Sequence, residues 1–447
     1  MKFSKREVLG VASPVFVSLL AQNLVGITDT AFMGRLGEVE LGGAAMASMI
    51  YFCIFTLGFG LGTGTQIIVA RKVGSGEHRS IGRVLSQSVI MLLVAAVFLA
   101  TLGWLGGGQF FRLVLASDHV SDIAAEYWKY RIWGYFPAFL GVVFRAFYIG
   151  IARTKVLTHN SIVMAIVNVF LDYGLIFGHF GLPAWGVKGA AVASVLAELS
   201  SLIFYLIYTH GRIDLSHYGI VPRDIFRVDL RLMRVTLNLS VYIMAQALVS
   251  TLVWSVFFMM IEKLGERPLA VATIIRSVYI LLYIPTISYG TAVSTTVSRL
   301  VGAGLGERIT EYIRMVGKLS LVTTGGLVLA IGLMPKVVLS IFTDDVELIV
   351  SSVPALYVIC VALLISSVGN LYFLAVSATG ATKKALYIEL STIVGYLLYS
   401  AVMVYGVGGP VELCYTVEVL YYIAIAMISY RFISSGKWRD PRWSKPL

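Results

Sequence analysis

Twelve long apolar runs, separated by short connections in which the basic residues collect, occupy the chain from residue 8 to residue 434. About 20 consecutive apolar residues cross a bilayer as a helix, because each backbone N–H and C=O is then bonded within its own segment. The runs lie at about 8–34, 41–70, 82–104, 123–151, 156–178, 187–210, 236–262, 269–298, 318–342, 351–379, 384–406 and 411–434, and each reaches that length. Composition agrees with this. The chain is 58% hydrophobic and 13% charged, with a mean hydropathy of +0.85, whereas roughly a quarter of an ordinary soluble domain is charged. The pattern predicts an all-α polytopic membrane protein. It excludes a soluble enzyme, a disordered regulator and a secreted disulfide scaffold. The first run follows Met1-Lys2-Phe3-Ser4-Lys5-Arg6 and has the place of a signal peptide, but it is too long for an apolar signal core and has no small-residue cleavage site. It is expected to remain as a helix.

The three cysteines, Cys53, Cys360 and Cys414, stand far apart in apolar segments, and the six histidines are scattered, so neither residue type has metal-ligand spacing. No cofactor and no resident metal are expected. The net charge of +11 is spread between the apolar runs and not gathered in a patch, so a nucleic-acid partner is not expected either. Topology accounts for it. Counted with the flanking helix turns, 25 Lys and Arg fall in the two termini and the even-numbered connections, against 6 in the odd-numbered ones. By the positive-inside rule both termini face the cytoplasm, across the plasma (inner) membrane. The longest basic connection, about 211–235, holds Arg212, Arg223, Arg227, Arg231 and Arg234. It divides an N-terminal six-helix lobe (1–210) from a C-terminal one (236–434), with a cytoplasmic tail at 435–447.

The chain also repeats itself. At an offset of 228, Leu36-Gly37-Glu38 meets Leu264-Gly265-Glu266, Gly62-Thr63 meets Gly290-Thr291, Arg71 meets Arg299, and Gly74 and Gly76 meet Gly302 and Gly304. Further along, Gly150 matches Gly380 at 230, and Gly189 and Glu198 match Gly409 and Glu418 at 220. Two halves of six helices, each entering from the same side, are parallel repeats about an axis along the membrane normal. That is a transporter architecture.

Ionisable side chains at membrane depth are costly and mark function by default. Asp29, Asp172 and Ser194 each lie about five to seven residues from an external helix end, or about 8–11 Å at the helical rise. Asn168 shares the helical face of Asp172, and Ser194 that of Glu198. Two carboxylates at one depth can share a proton or hold a cation; the competing reading is that such groups cap or bridge helices. Glu198, Gln246, Arg276 and Glu418 are further polar candidates, with Glu418 or a backbone carbonyl as the partner of Arg276. Arg145 is expected to reach out to the interface. The 228 and 230 registers set Phe257 opposite Asp29 and Val402 opposite Asp172, so the acids of the coupling site are one-sided. Tyr135, Phe136, Phe139, Tyr279, Tyr283 and Tyr372 are candidates to line a cavity for flat organic cations.

These residues resemble a known family. Asp29-Thr30-x3-Gly34-Arg35-Leu36-Gly37, Gly62-Thr63-x3-Ile67-x-Val69-Ala70-x3-Gly74-x-Gly76, Asn168-x3-Asp172 and Gly189-Ala190-Ala191-x-Ala193-Ser194 are similar to motifs of the multidrug and toxic compound extrusion (MATE) transporters of the MOP flippase superfamily. The likeness covers essentially the whole chain. It implies two pseudo-symmetric six-helix bundles in a V-shaped arrangement, alternating access, and export of amphipathic, often cationic compounds against H+ or Na+. Carried over by motif position, the cation site comprises Asp29, Asn168, Asp172 and Ser194, with Na+ able to sit at the first three. Pro14 matches the proline at which the first helix is thought to bend. A second branch of the family carries a Glu on helix 7 and an Asp on helix 10. Here Gln246 takes the first place and helix 10 has no acid between Ser366 and Gly380, so a C-terminal site of that kind is not expected.

The expectation is therefore a secondary antiporter, not an enzyme, that binds small organic substrates and the lipid bilayer and works as a monomer. A lipid or lipid-linked flippase of the same superfamily is the alternative. A polytopic membrane enzyme is disfavoured, because no nucleophile is paired with a base at membrane depth.

Overall fold

The computed structural model describes residues 3–221 and 227–440; Arg223 of the expected linker and residues 441–447 of the expected tail lie outside the described residues. The described residues form helices and no strand. Twelve helices are long and apolar enough to span a membrane: α1 Lys5–Gly34, α2 Glu38–Gly74, α3 His78–Val114, α4 Asp118–Gly150, α5 Lys155–Phe177, α6 Val187–Arg212, α7 Leu230–Glu262, α8 Glu266–Gly302, α9 Gly306–Leu333, α10 Val346–Ala378, α11 Thr382–Val407 and α12 Val411–Ser434. These are the spans that the run lengths predict. Many outward side chains are apolar, with Leu113 86% and Val322 75% exposed. Such a surface is a liability in water and the ordinary state in lipid. The protein is a multi-pass membrane protein.

The connections show why glycine recurs in both halves. Gly37 and Gly265 precede α2 and α8 with φ of +153° and +119°, and Gly76 and Gly304 follow those helices with φ of +77° and +72°. An L side chain rarely adopts these angles, so both copies of the turn keep glycine at the 228 offset. One pairing from the sequence changes. Gly380 (φ +85°) is matched in backbone by Ala152 (φ +54°), each two residues beyond its helix end at Ala378 and Gly150. Gly150 is small for another reason: a Cβ there would run into Val69 and the Gln66 carbonyl. The two glycines answer different demands, and the register stays at 228. Buried Ser400, not exposed Val402, is then the counterpart of Asp172.

The chain forms two compact units, one of Val17–Met244 and one of Met1–Phe16 with Ala245–Leu447. In the first, Tyr51, Trp128, Tyr135 and Phe139 are central to the core. In the second, Val8 and Ala12 of α1 pack with Tyr289, Val293 and Tyr312. Two helices are thus each shared between units: α1 runs unbroken through Pro14 and changes unit two residues later, and α7 changes unit after Met244. The segment before α7 is tied to α3, where Gln87 donates to the Arg227 carbonyl at 2.8 Å and accepts from the Asp229 N–H at 2.9 Å.

Candidate functional site

In the first unit, α5 presents Asn168 and Asp172 one turn apart, and Asp29 of α1 is their close neighbour. Asp172 and Asn168 are 1% and 2% exposed. Both oxygens of Asp172, Oδ1 of Asp29 and Oδ1 of Asn168 are buried without a hydrogen-bond donor. Two neighbouring buried carboxyl groups cost several kcal/mol unless something supplies positive charge. A proton shared between the acids, or a hard monovalent cation, would do so. Ser194 lies beside the Tyr127 hydroxyl, which is within electrostatic reach of Asp29. Among the described residues no hydrogen bond joins Ser194 to either aspartate.

The structure adds a residue that sequence reasoning missed. Arg131 of α4 grips Glu198 of α6 with both arms of its guanidinium, Nη1 to Oε2 at 2.8 Å and Nη2 to Oε1 at 2.5 Å. The Tyr51 ring lies 3.7 Å beneath the guanidinium, the Tyr51 hydroxyl reaches Glu198 at 3.3 Å, and Tyr135 stacks on Tyr51 at 4.4 Å. A 3-10 turn, Ile132–Gly134, interrupts α4 beside this pair. At Gly134 a Cβ would meet Arg131, Glu198 and the Tyr51 hydroxyl, so the glycine makes the room. Arg131 also acts electrostatically on Asp29. The signal for it was an Arg well inside the run 123–151, which also holds Lys129 and Arg145.

Two part-open pockets, one in each unit, are bordered by polar and aromatic residues of several helices. That of the first, about 150 Å³, is bordered by Ser18, Gln22, Phe55, Phe59, Arg145, Asn160, Ser161 and Glu198. That of the second, about 400 Å³, is bordered by Gln246, Trp254, Tyr279, Tyr283, Asn370, Glu389, Tyr396, Glu418, Tyr421 and Tyr422. Here Glu389 accepts from Ser250 and Tyr421 through Oε1, both at 2.8 Å, and its Oε2 is left without a donor, as is Oε1 of Gln246. Glu418 accepts from Tyr396 at 2.9 Å, and Tyr279 and Tyr422 share a hydroxyl contact. At the 228 offset Tyr279 is the counterpart of Tyr51, but Arg131 falls on buried Ile359. Glu418 therefore lacks the cation that Glu198 has.

The remaining candidates fall elsewhere. Exposed Arg276 lies over Trp254 and Phe258, at 5.7 and 5.3 Å from the ring centroids, and makes no ion pair with Glu418 among the described residues. Tyr135 and Phe139 pack in the core of the first unit, with Phe136 against that core, and Tyr372 packs in the second. Among the described residues no group of three or more His, Cys, Asp or Glu gathers as a metal site.

A family model described as MatE matches residues 14–174 and 242–404. The chain is 25% identical over 363 residues to a probable multidrug resistance protein NorM of Thermotoga maritima, covering 78% of this chain and 75% of that protein. It is 28% identical over 265 residues to a protein of the same description from Rhizobium meliloti, a match spanning 59% of this chain but only 56% of the relative. In fold it is similar to a solved outward-facing conformation of a multidrug resistance MATE family transporter of the MOP superfamily, with a TM-score of 0.89, 20% identity, and coverage of 98% and 100% of the two chains. A MATE structure in the straight conformation gives 0.87 at 19% identity and 97% coverage of each.

Proposed function

The chain belongs to the MatE family, and from that premise we propose that it is a secondary antiporter that exports amphipathic organic compounds, cationic ones among them, in exchange for H+ or Na+ by alternating access. The relatives described as probable multidrug resistance proteins support drug-type export. One observation supports the coupling reading: the Asp29 and Asp172 carboxyl groups are close neighbours, and three of their four oxygens are buried and unpaired. Loading with a proton or cation relieves that cost in one state, and releasing it restores the cost in the other; a difference of this kind is what drives a two-state transporter. The acid-lined aromatic cavity of the second unit suits the organic cation, since ring faces and carboxylates both attract positive charge. We place the protein in the plasma membrane, with both termini cytoplasmic, on the 25-to-6 distribution of basic residues.

The test is efflux of a cationic dye, ethidium, from vesicles given a pH gradient alone and then a sodium gradient alone. Asp172→Asn and Asp29→Asn are each expected to fold, to bind ethidium, and to lose gradient-driven efflux. Normal efflux by both variants would remove the coupling role from these residues.

A further inference from the structure

The segment that follows α6 is docked on the start of α3. Asp214 builds a tight turn there, its Oδ1 accepting from the N–H groups of Ser216 and His217, both at 3.1 Å, and from the Ser216 hydroxyl at 2.7 Å. The Gly82 N–H then donates to the Tyr218 carbonyl at 2.8 Å. The approach is so close that a Cβ at Gly82 would strike the Gly219 carbonyl, and one at Gly219, whose φ is +62°, would strike the Arg79 carbonyl. Glycine at both positions leaves the room.

This docking brings His217 to a part-open pocket of about 490 Å³ whose other walls include Glu77, His78, Arg79 and Arg83. The His78 and His217 rings lie 4.7 Å apart between centroids, and Nδ1 of His78 is buried without a partner. Among the described residues neither Arg79 nor Arg83 makes an ion pair. The one acid on the wall, Glu77, is already held by Lys72 at 3.0 Å and by the Ser75 hydroxyl at 3.3 Å. The other copy of this turn is built differently. At the 228 offset His78 falls on Gly306, and Arg79 and Arg83 fall on Glu307 and Glu311. There Arg308 pairs with Glu311 at 3.2 Å, and Trp438 packs where a Cβ of Gly306 would stand. The repeated fold therefore needs neither the two arginines nor the open pocket.

Two guanidiniums and two imidazoles around one pocket supply N–H donors and positive charge with no free carboxylate among them. A metal ion would find only the imidazole pair and would be repelled by the arginines. An anion meets no such conflict, and the planar fork of Arg matches phosphate oxygens in two-point contact. The pocket also lies where α2 ends and α3 begins, at the level of lipid headgroups, where basic clusters attract anionic lipid. We propose that this pocket is a phosphate-binding site, with Arg79 and Arg83 as the principal ligands and His78 and His217 as further donors. The phosphate belongs either to a lipid headgroup or to a soluble compound. The site shares no residue with the coupling acids or with the pockets of Glu198 and Glu418, so it does not rest on the antiport reading.

The experiment is equilibrium binding of two radiolabelled probes, inorganic phosphate and dioctanoyl phosphatidylglycerol, to the purified full-length protein in non-ionic detergent at pH 7 and low salt. Wild type is expected to bind at least one of them saturably. Arg79→Gln with Arg83→Gln should weaken that binding about tenfold or more; both side chains are exposed, so the thermal midpoint should stay at the wild-type value. Arg308→Gln, at the matching turn of the second unit, should leave binding unchanged. Competition with glycerophosphoglycerol, the headgroup without its chains, separates the sources. A lipid held about tenfold tighter than its headgroup marks a membrane ligand, and equal affinity marks a soluble one; either result supports a phosphate site. Binding of neither probe by wild type overturns the proposal without recourse to any variant. Tight Zn2+ binding in their place overturns it too, by making His78 and His217 a metal pair. Binding that survives the double arginine variant, or that Arg308→Gln weakens equally, overturns the assignment to this pocket.

Discussion

Asp172 has two buried oxygens with no donor, while Glu198, on a neighbouring helix of the same unit, has both oxygens held by one guanidinium. The first arrangement is poised to bind something and the second is already satisfied. That difference makes the second testable by stability. The Arg131 and Glu198 side chains are 11% and 15% exposed, and removing one partner of a mostly buried pair costs about 3–5 kcal/mol because the other charge is stranded. Glu198→Gln should therefore lower the midpoint of thermal unfolding in detergent, and adding Arg131→Met should restore most of it. No recovery in the double variant would mean that the pair is not an isolated unit. The sequence made the aspartates visible, since Asn168 and Asp172 share a face and Asp29 lies at their depth. Arg131 and Arg145 were not legible in the same way. A basic residue inside an apolar run can be paired, reach for the interface or border a pocket, and only tertiary placement decides among these.

Pro14 sits in an unbroken α1 just before that helix passes from one compact unit to the other. Proline removes one backbone hydrogen bond and softens the helix locally. Pro14→Ala is expected to slow ethidium efflux several-fold while leaving ethidium affinity within twofold of wild type; equal turnover would count against a hinge. In α4 the break at Ile132–Gly134 has the opposite task of holding still. Gly134→Ala would push a methyl group into Arg131, Glu198 and the Tyr51 hydroxyl, and overpacking of this kind costs about 1–3 kcal/mol. A drop in the thermal midpoint checks it. Of these features, span number and length were readable from the apolar runs. The 3-10 turn was not, because Ile132-Trp133-Gly134 is as apolar as the helix around it. The repeat register slipped by two residues at Gly150 because a glycine kept for packing looks, in sequence, like a glycine kept for a turn.

Across the molecule the repeat is well kept in backbone and poorly kept in charge. The left-handed turns recur at the 228 offset, yet Asp29 and Asp172 face Phe257 and Ser400, and Arg131 faces Ile359. Coupling and cargo binding are accordingly expected to separate between the units. Glu389→Gln with Glu418→Gln should weaken ethidium binding about tenfold and leave the number of ions moved per substrate unchanged, whereas Asp29→Asn should abolish ion movement and spare ethidium binding. A halved ion ratio in well-expressed Glu418→Gln protein would contradict that division. The sharing of α1 and α7 between units also bears on how such a chain is made. During synthesis the first unit cannot close until residues up to Met244 have left the ribosome. Residues before Val17 must wait undocked until α8 and α9 of the second unit, which carry Tyr289, Val293 and Tyr312, arrive. Cutting the chain at residues 222–226 would then produce two fragments, each missing a piece that the other carries. Coexpressed, they should assemble and copurify; expressed alone, each should be degraded.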